Sequence, residues 1–166
     1  IILDTMNLWI NISYDLLMQV VSHADIFLLN DEEAFLLTKT TTVEDAAKKL
    51  IECGPKTIII KQGSLGSYLY NPSNNIAIKI PAFPINQVVD TTGAGDTFAG
   101  GFVGNIEQRL FNDLNIRVQE YLPIGSVKLG MAMSKAHTSS HFHADICFIS
   151  SYRAEKKYSK SRDVWI

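Results

Sequence analysis

Short apolar runs alternate with segments of helical periodicity along the first part of the chain. Residues 1–4 form an apolar run that ends in Asp4, and residues 26–29 form a second run that ends at Asn30. Both runs predict buried strands. Between them, apolar residues from Leu16 to Val21 recur at helical spacing. The pattern therefore predicts a strand, a helix and a second strand.

Two further helices and a buried strand are predicted next. Acidic residues at 31–33 suit the first turn of a helix, where they lie near the positive end of its dipole. A second helix is predicted from Val43 to about Cys53, ended by the Gly-Pro pair that follows. Residues 56–62 are rich in β-branched side chains and bounded by turn residues. We expect a strand there, in the centre of a parallel sheet.

A hairpin and a glycine turn follow this strand. Residues 68–70 and 76–80 flank the turn-forming stretch 71–75, which predicts two strands joined as a hairpin. Residues 88–89 are both Val and predict a strand that leads into the glycine turn 93–95. A helix of small residues is expected directly after that turn.

The alternation of strands and helices predicts an α/β fold. A further helix is expected over residues 124–139, and apolar residues within 105–123 also favour helix. Strands separated by helices indicate a doubly wound, mainly parallel sheet with flanking helices. A length of 166 residues suits a single domain.

Composition and charge exclude several classes of protein. With 46% hydrophobic and 19% charged residues, the chain is typical of a soluble globular protein. A net charge of −2 gives no broad cationic surface for nucleic acid. No apolar run approaches the roughly 20 residues of a membrane-spanning helix. The two cysteines, Cys53 and Cys147, lack C-x-x-C spacing. We therefore expect a cytoplasmic protein whose partner is neither nucleic acid nor a membrane.

The glycine turn at residues 93–95 carries the chemistry of an anion site. Glycines at the start of a helix leave backbone N–H groups open to an anion, and the helix dipole favours negative charge there. Asp96 follows directly, where it would repel an anion unless it accepts a proton from a nucleophile that attacks a phosphoryl group. An alternative is a carboxylate that only caps the helix, and the glycine pattern by itself leaves both interpretations open.

Residues 90–98 read Asp-Thr-Thr-Gly-Ala-Gly-Asp-Thr-Phe. This stretch resembles, at every position, the second signature of the ribokinase-like (PfkB-type) carbohydrate kinases, D-T-[TN]-G-A-G-D-x-F. The resemblance implies that Gly93, Ala94 and Gly95 form an anion hole for the transferring phosphate. It implies that Asp96 is the base that activates the substrate hydroxyl. It also implies that Asp90 helps to bind a monovalent cation such as K⁺.

Two further motifs agree with this resemblance and precede the signature in the expected order. Asn30 and Glu33 resemble the N-x-x-E motif of the family, which holds Mg²⁺, a cation that prefers oxygen ligands. Taken alone, this motif is only a helix start. Lys61, Gly63 and Gly66 resemble the K-x-G-x-x-G stretch that approaches the nucleotide phosphates. Taken alone, Lys61 is a solvated lysine before a turn.

The resemblance covers residues 1–140 and implies the ATP-binding, catalytic C-terminal part of the full fold. Family members are about twice as long as such a domain, so we expect this chain to be a fragment that lacks most sugar contacts and the lid. Residues 141–166 form a divergent tail. The stretch from Asp4 to Trp9 resembles a family segment only loosely, and no role is assigned to it.

The expected function is transfer of the γ-phosphate of ATP to a hydroxymethyl group of a sugar or related compound. A nucleoside kinase shares the same motifs. The alternative of another class is a truncated, inactive remnant that binds nucleotide or acts as an interaction module. The expected partner is a small sugar or nucleoside, and the sequence is also compatible with a homodimer.

Histidines and one cysteine in the tail suggest a competing metal site. His137 and His141 stand at i, i+4, and His143, Asp145 and Cys147 follow. Such groups can bind zinc. The stretch lacks the Glu of H-E-x-x-H and a cysteine pair, so the kinase interpretation is favoured.

Overall fold

A computed structural model of the protein describes residues 1–83 and 88–112, with side chains as far as residue 106. The strands are β1 (Ile2–Asp4), β2 (Ile26–Asn30), β3 (Thr57–Lys61), β4 (Ser67–Asn71) and β5 (Ile76–Ile80). The helices are α1 (Asn7–Ile12), α2 (Tyr14–Val21), α3 (Asp31–Thr38), α4 (Val43–Ile51) and α5 (Ala94–Asn112). Short 3₁₀ turns lie at Gly63–Leu65 and Pro72–Asn74.

The described strands form one mixed sheet in the order β1-β2-β3-β4-β5. Strands β1, β2 and β3 are mutually parallel, whereas β4 is antiparallel to both β3 and β5. The predicted hairpin is confirmed as β4 and β5. The predicted central strand is also confirmed as β3, but it is parallel to its neighbour on one side only. Residues 62–66 are too few for a crossover to a parallel strand, which needs about a dozen residues or more.

Helices cover both faces of the sheet, as the doubly wound prediction requires. Successive residues of β2 point to opposite faces. Ile26 and Leu28 pack with Phe98 and Phe102 of α5 on one face. Phe27 and Leu29 of β2 pack against α1, α2, α3 and α4 on the opposite face. Burial on both sides explains why β2 and β3 are continuous apolar runs rather than alternating ones.

Two local predictions need correction. Residues 88–89 lie in irregular structure rather than in a strand, and their valines are 54% and 40% exposed. Two β-branched residues favour extended backbone, but a strand is stabilised by ladder partners and cross-strand packing. The short helix α1 was not predicted, because Ile10 is its one buried residue and a single position forms no apolar stripe.

Of the remaining predictions, one falls partly within the described residues and the others lie outside them. Helix α5 continues through residues 105–112, as the apolar pattern favoured. The helix expected over 124–139, the boundary at residue 140 and the histidine cluster of the tail lie outside the described residues. Within the described ranges, no helix has the length and apolar character needed to cross a membrane.

Candidate active site

Three polar side chains end the parallel strands at the same edge of the sheet. Asp4, Asn30 and Lys61 are the last residues of β1, β2 and β3. Asn30 and Lys61 are direct register partners across the pair β2 and β3. By the alternation along each strand, all three lie on the face covered by α5. In open α/β sheets this carboxyl edge is where ligands bind.

Asp4 and Lys61 form an ion pair at this edge. Lys61 Nζ lies 2.7 Å from Asp4 Oδ2 and 2.9 Å from Oδ1, and the two side chains are only 16% and 24% exposed. The neighbouring Thr5 donates its N–H to Asp4 Oδ1 at 3.0 Å. The hydroxyl oxygen of Thr5 is buried and has no hydrogen-bond partner among the described residues.

Sequence reasoning assigned no role to Asp4. Its available signal was an apolar strand that ends in a carboxylate, and the carboxyl edge of a sheet is a common place for ligand-binding side chains. The partner of Asp4 lies 57 residues further along the chain, which no local pattern reports.

The first turn of α5 lies directly beside Lys61. A Cβ atom added to Gly95 would stand 3.4 Å from Lys61 Nζ. The first N–H groups of a helix have no intrahelical acceptor and form the positive end of its dipole. An ammonium and a helix N-terminus therefore meet at one point. Together they can bind and stabilise an anion, and phosphate is the anion that this arrangement suits.

Gly93 shapes the turn that delivers this helix. Its φ is 73°, a left-handed conformation that glycine adopts without strain. Gly93 O accepts both the N–H and the hydroxyl of Thr97, each at 2.9 Å. Ala94 donates its N–H to Thr91 O at 3.1 Å. The turn is thus held by its own hydrogen bonds before any ligand is bound.

The two acids of the signature lie on either side of this turn. Asp90 Oδ1 accepts the N–H of Thr92 at 2.8 Å, so the carboxylate helps to build the approach to the turn. Asp96 is exposed and follows Gly95 in the first turn of α5. An exposed carboxylate in this position can accept a proton from a hydroxyl that approaches the turn.

Asn30 and Glu33 form a capping box at the start of α3. Asn30 Oδ1 accepts the N–H of Glu33, and Glu33 Oε2 accepts the N–H of Asn30. Glu33 is 4% exposed, and burial raises the pKa of its carboxyl above the ordinary value. The Asn30 N–H and the charge of Lys61 oppose this rise.

These donors fit a magnesium ion. Asn30 and Glu33 supply an amide and a carboxylate oxygen, the ligand class that Mg²⁺ prefers. The capping bonds use one oxygen of Glu33 and leave the other for a cation or its waters. Among the described residues, no group of three His, Cys, Asp or Glu side chains forms a metal cluster. The set is compatible with an ion that keeps most of its waters and binds substrate phosphates.

The glycines of the K-x-G-x-x-G stretch occupy different environments. Gly66 has a φ of 102°, and an added Cβ would lie 2.0 Å from Ile80 O and 2.7 Å from Ala82 N. Gly66 is therefore required by close packing against the end of β5. Gly63 has a φ of 54° with nothing within 4 Å of the Cβ position, so it faces open space. Contact of either glycine with a nucleotide stays a prediction.

Similarity to known proteins agrees with this geometry. The chain is similar to a cytidine kinase of Thermococcus kodakarensis, at 41% identity over 91 residues that cover 54% of this chain and 32% of the relative. It is similar to a ribokinase of Staphylococcus aureus, at 35% identity over 95 residues that cover 54% of this chain and 30% of the relative. The matched region thus spans about a third of these relatives.

A solved structure of a ribokinase has the same fold over most of this chain. The structure of Arabidopsis thaliana ribokinase complexed with ribose and ATP superposes with a TM-score of 0.66 at 26% identity. The match covers 86% of this chain and 42% of the ribokinase. The family model for pfkB family carbohydrate kinases matches residues 2–134, most of the chain. The protein therefore belongs to the pfkB family of carbohydrate kinases.

Proposed function

We propose that the protein transfers the γ-phosphate of ATP to a hydroxymethyl group of a sugar or related compound. Asp96 is the general base, and Gly93, Ala94 and Gly95 form the anion hole. Lys61 contributes a positive charge beside the hole. Because the matched region spans about a third of the curated relatives, the activity is proposed for the intact protein.

The observation that carries this proposal is the position of Lys61 Nζ, 3.4 Å from where a Cβ of Gly95 would stand. Two motifs that are separate in sequence meet there, at the carboxyl edge of the parallel strands. The meeting point combines a cation, a helix N-terminus and a following carboxylate. Phosphoryl transfer needs stabilisation of the phosphoryl oxygens and an acceptor for the hydroxyl proton.

The proposed step is an in-line displacement at the γ-phosphorus. A bond forms between the acceptor hydroxyl oxygen and the γ-phosphorus, while the bond from that phosphorus to the β–γ bridging oxygen breaks and ADP leaves. The hydroxyl proton passes to the carboxylate of Asp96. Lys61 and the N–H groups of the turn stabilise the charge on the transferring phosphoryl oxygens.

Asn30 and Glu33 are the proposed residues for Mg²⁺, with its waters between protein and phosphates. When bound, Mg²⁺ supplies neutralisation of the negative charge on the nucleotide phosphates. Asp90 is proposed to help hold a monovalent cation such as K⁺ beside the turn. Its Oδ1 accepts the N–H of Thr92 at 2.8 Å, which holds the carboxylate at the approach to the turn.

A nucleoside is the second candidate acceptor. The relative named as a cytidine kinase is 41% identical over its matched region, against 35% for the ribokinase. Both kinds of acceptor offer a ribose hydroxymethyl group. The proposed base and anion hole would serve both acceptors alike, and the choice between them lies with residues that contact the rest of the acceptor.

The test is acceptor-dependent formation of ADP by the intact protein with Mg-ATP. Ribose, fructose, cytidine and adenosine are supplied separately, and the phosphorylated product is identified by ³¹P NMR. We expect one class of acceptor to stimulate ADP formation and to carry the new phosphate. The Asp96→Asn variant, purified in the same way, controls for contaminating kinases. No transfer to any sugar or nucleoside would contradict the proposal.

A further inference from the structure

The ion pair between Asp4 and Lys61 has a geometry that the family motifs do not describe. We propose that Asp4 is a positioning residue for phosphoryl transfer, which acts by holding the ammonium of Lys61 beside the first turn of α5. The inference rests on the proposed function, and it assigns a role to a residue outside the motifs from which that function was drawn.

The pair bridges three strands. Asp4 ends β1 and Lys61 ends β3, with β2 between them. Neighbouring strands are about 4.8 Å apart, so the two backbones lie roughly 10 Å from one another. Lys61 must therefore lean sideways across the end of β2 to reach both carboxylate oxygens at 2.7 and 2.9 Å. The carboxylate of Asp4 thus sets the direction of the lysine side chain.

That direction places the ammonium beside the first turn of α5. A lysine at a strand end has a flexible stem and would otherwise sample solvent. Held across β2, its Nζ lies beside Gly95. The low exposure of both side chains limits screening of the pair by water and salt. The ordering of Lys61 is thus in place before a nucleotide binds, which is preorganisation.

A purely affinity-enhancing role for Asp4 does not fit its charge. A carboxylate next to a phosphate site repels the nucleotide and partly neutralises the lysine that attracts it. Asp4 is therefore expected to favour the orientation needed in the transition state without favouring ATP binding. An interaction of this kind raises kcat and does not lower KM.

The test compares wild type, Asp4→Asn, Lys61→Met and the double variant in the intact protein, with the acceptor that wild type phosphorylates. Asp4→Asn should lower kcat at least about tenfold, because small misplacements of a reacting group are costly, and should not raise KM for ATP. Lys61→Met should lower kcat and raise KM. The double variant should have a kcat no lower than that of Lys61→Met.

Three outcomes would overturn the proposal. The first is an unchanged kcat for Asp4→Asn. The second is an equal loss of kcat from Asp4→Asn in the presence and absence of Lys61. The third is a large rise in the Mg²⁺ concentration that gives half the maximal rate, since Asp4 would then act on the metal rather than through the lysine.

The matched control is Asp25→Asn. Asp25 also pairs with a lysine, Lys56, at 2.7 Å, but it precedes β2 at the opposite edge of the sheet. Asp25→Asn should leave kcat unchanged. Thermal unfolding midpoints of both aspartate variants are measured beside the kinetics. A similar loss of kcat in Asp25→Asn would show that loss of any ion pair suffices, and would also overturn the proposal.

Failure of the proposed function can be distinguished from failure of the positioning role of Asp4. If wild type phosphorylates no sugar or nucleoside, that function is wrong, and the pair is tested by calorimetric ATP binding. Asp4→Asn should then tighten binding more in the Lys61→Met background than in wild type, because an unpaired carboxylate repels the nucleotide more strongly. Equal changes in both backgrounds, or no binding by wild type, would overturn the positioning role.

Discussion

Asn30 and Glu33 each accept the other's backbone N–H, at 2.7 Å for Asn30 Oδ1 and 2.9 Å for Glu33 Oε2. The exchange shapes the first turn of α3 at the point where β2 ends. It also holds a carboxylate that is 4% exposed close enough to Asp4 and Lys61 for their charges to affect its pKa. Glu33 is therefore both a helix cap and a buried charge.

The burial of Glu33 predicts a specific pH dependence of stability. Burial raises the pKa of Glu33 above 4.5 in the folded protein, so the folded state binds the proton more tightly than the unfolded state. The contribution of Glu33 to stability is present below about pH 4.5 and is lost as pH rises through the folded pKa.

Glu33→Gln keeps a side-chain oxygen for the capping box and removes the ionisation. The free energy of unfolding of this variant should therefore increase relative to that of wild type as the pH rises from acidic to neutral. Urea unfolding across that range measures the difference, and Glu32→Gln controls for loss of a charge from the same turn. A difference that is independent of pH would contradict the prediction.

Gly66 is predicted to be a requirement of the fold. Gly66→Ala should lower the free energy of unfolding by about 2 to 4 kcal/mol, because a Cβ would meet Ile80 O in a left-handed backbone conformation. Gly63→Ala is the matched control, since its Cβ would face open space and the strain alone costs about 1 kcal/mol. Denaturant unfolding compares them, and equal losses would show that packing against β5 is not the cause.

Asp96→Asn tests the role of Asp96 as the base separately from ATP binding. The amide keeps the shape of the side chain but cannot take the hydroxyl proton, so kcat should fall at least about 10²-fold. The dissociation constant for ATP should change little. Steady-state kinetics and calorimetry test the two parts separately, with Asp25→Asn as the control for loss of a carboxylate. A variant that retained nearly full kcat would exclude Asp96 as the base.

Gly95 is predicted to keep space for Lys61 and for phosphate. The Cβ of Gly95→Ala would make an ordinary contact of 3.4 Å with Lys61 Nζ, so a modest effect is expected. The branched side chain of Gly95→Val would displace the ammonium and obstruct phosphate, which should raise KM for ATP and lower kcat together.

The control for this pair is Gly100→Ala, on the same helix with nothing within 4 Å of its Cβ position. It should stabilise the protein by about 0.5–1 kcal/mol, because alanine is a better helix former than glycine. Activity should be unchanged. Comparable kinetic losses in Gly95→Ala and Gly95→Val would show that side-chain volume is not the deciding factor.

The parts of the fold that local pattern determines were predictable. The buried strand at β3 was evident from its β-branched run, and Lys61 was placed at its end by the turn residues that follow. The start of α3 was evident from the acidic residues 31–33, and the capping bonds found there join Asn30 and Glu33, which are only three residues apart. In each case the information lies within a few residues, and burial on both faces reinforces it.

The parts that depend on tertiary approach were not predictable. Asp4 and Lys61 meet only because β1 and β3 flank β2, and strand order is not encoded in local periodicity. Gly63 and Gly66 look alike in sequence, and only the path of β5 distinguishes them. The valines at 88–89 failed as a strand prediction because propensity supplies no ladder partner.

Because β4 runs antiparallel to β3, the turn before β4 and the turn between β4 and β5 lie at opposite edges of the sheet. Ser64 lies in the turn after Lys61, whereas Ser73 lies in the turn between β4 and β5, one strand length away, and both are exposed. A fluorophore attached at Ser64 would sit at the edge where nucleotide is expected, and its emission could follow ligand arrival. The same fluorophore at Ser73 would be a remote reference at the other end of β4, so the two labelled proteins could separate local binding signals from global ones.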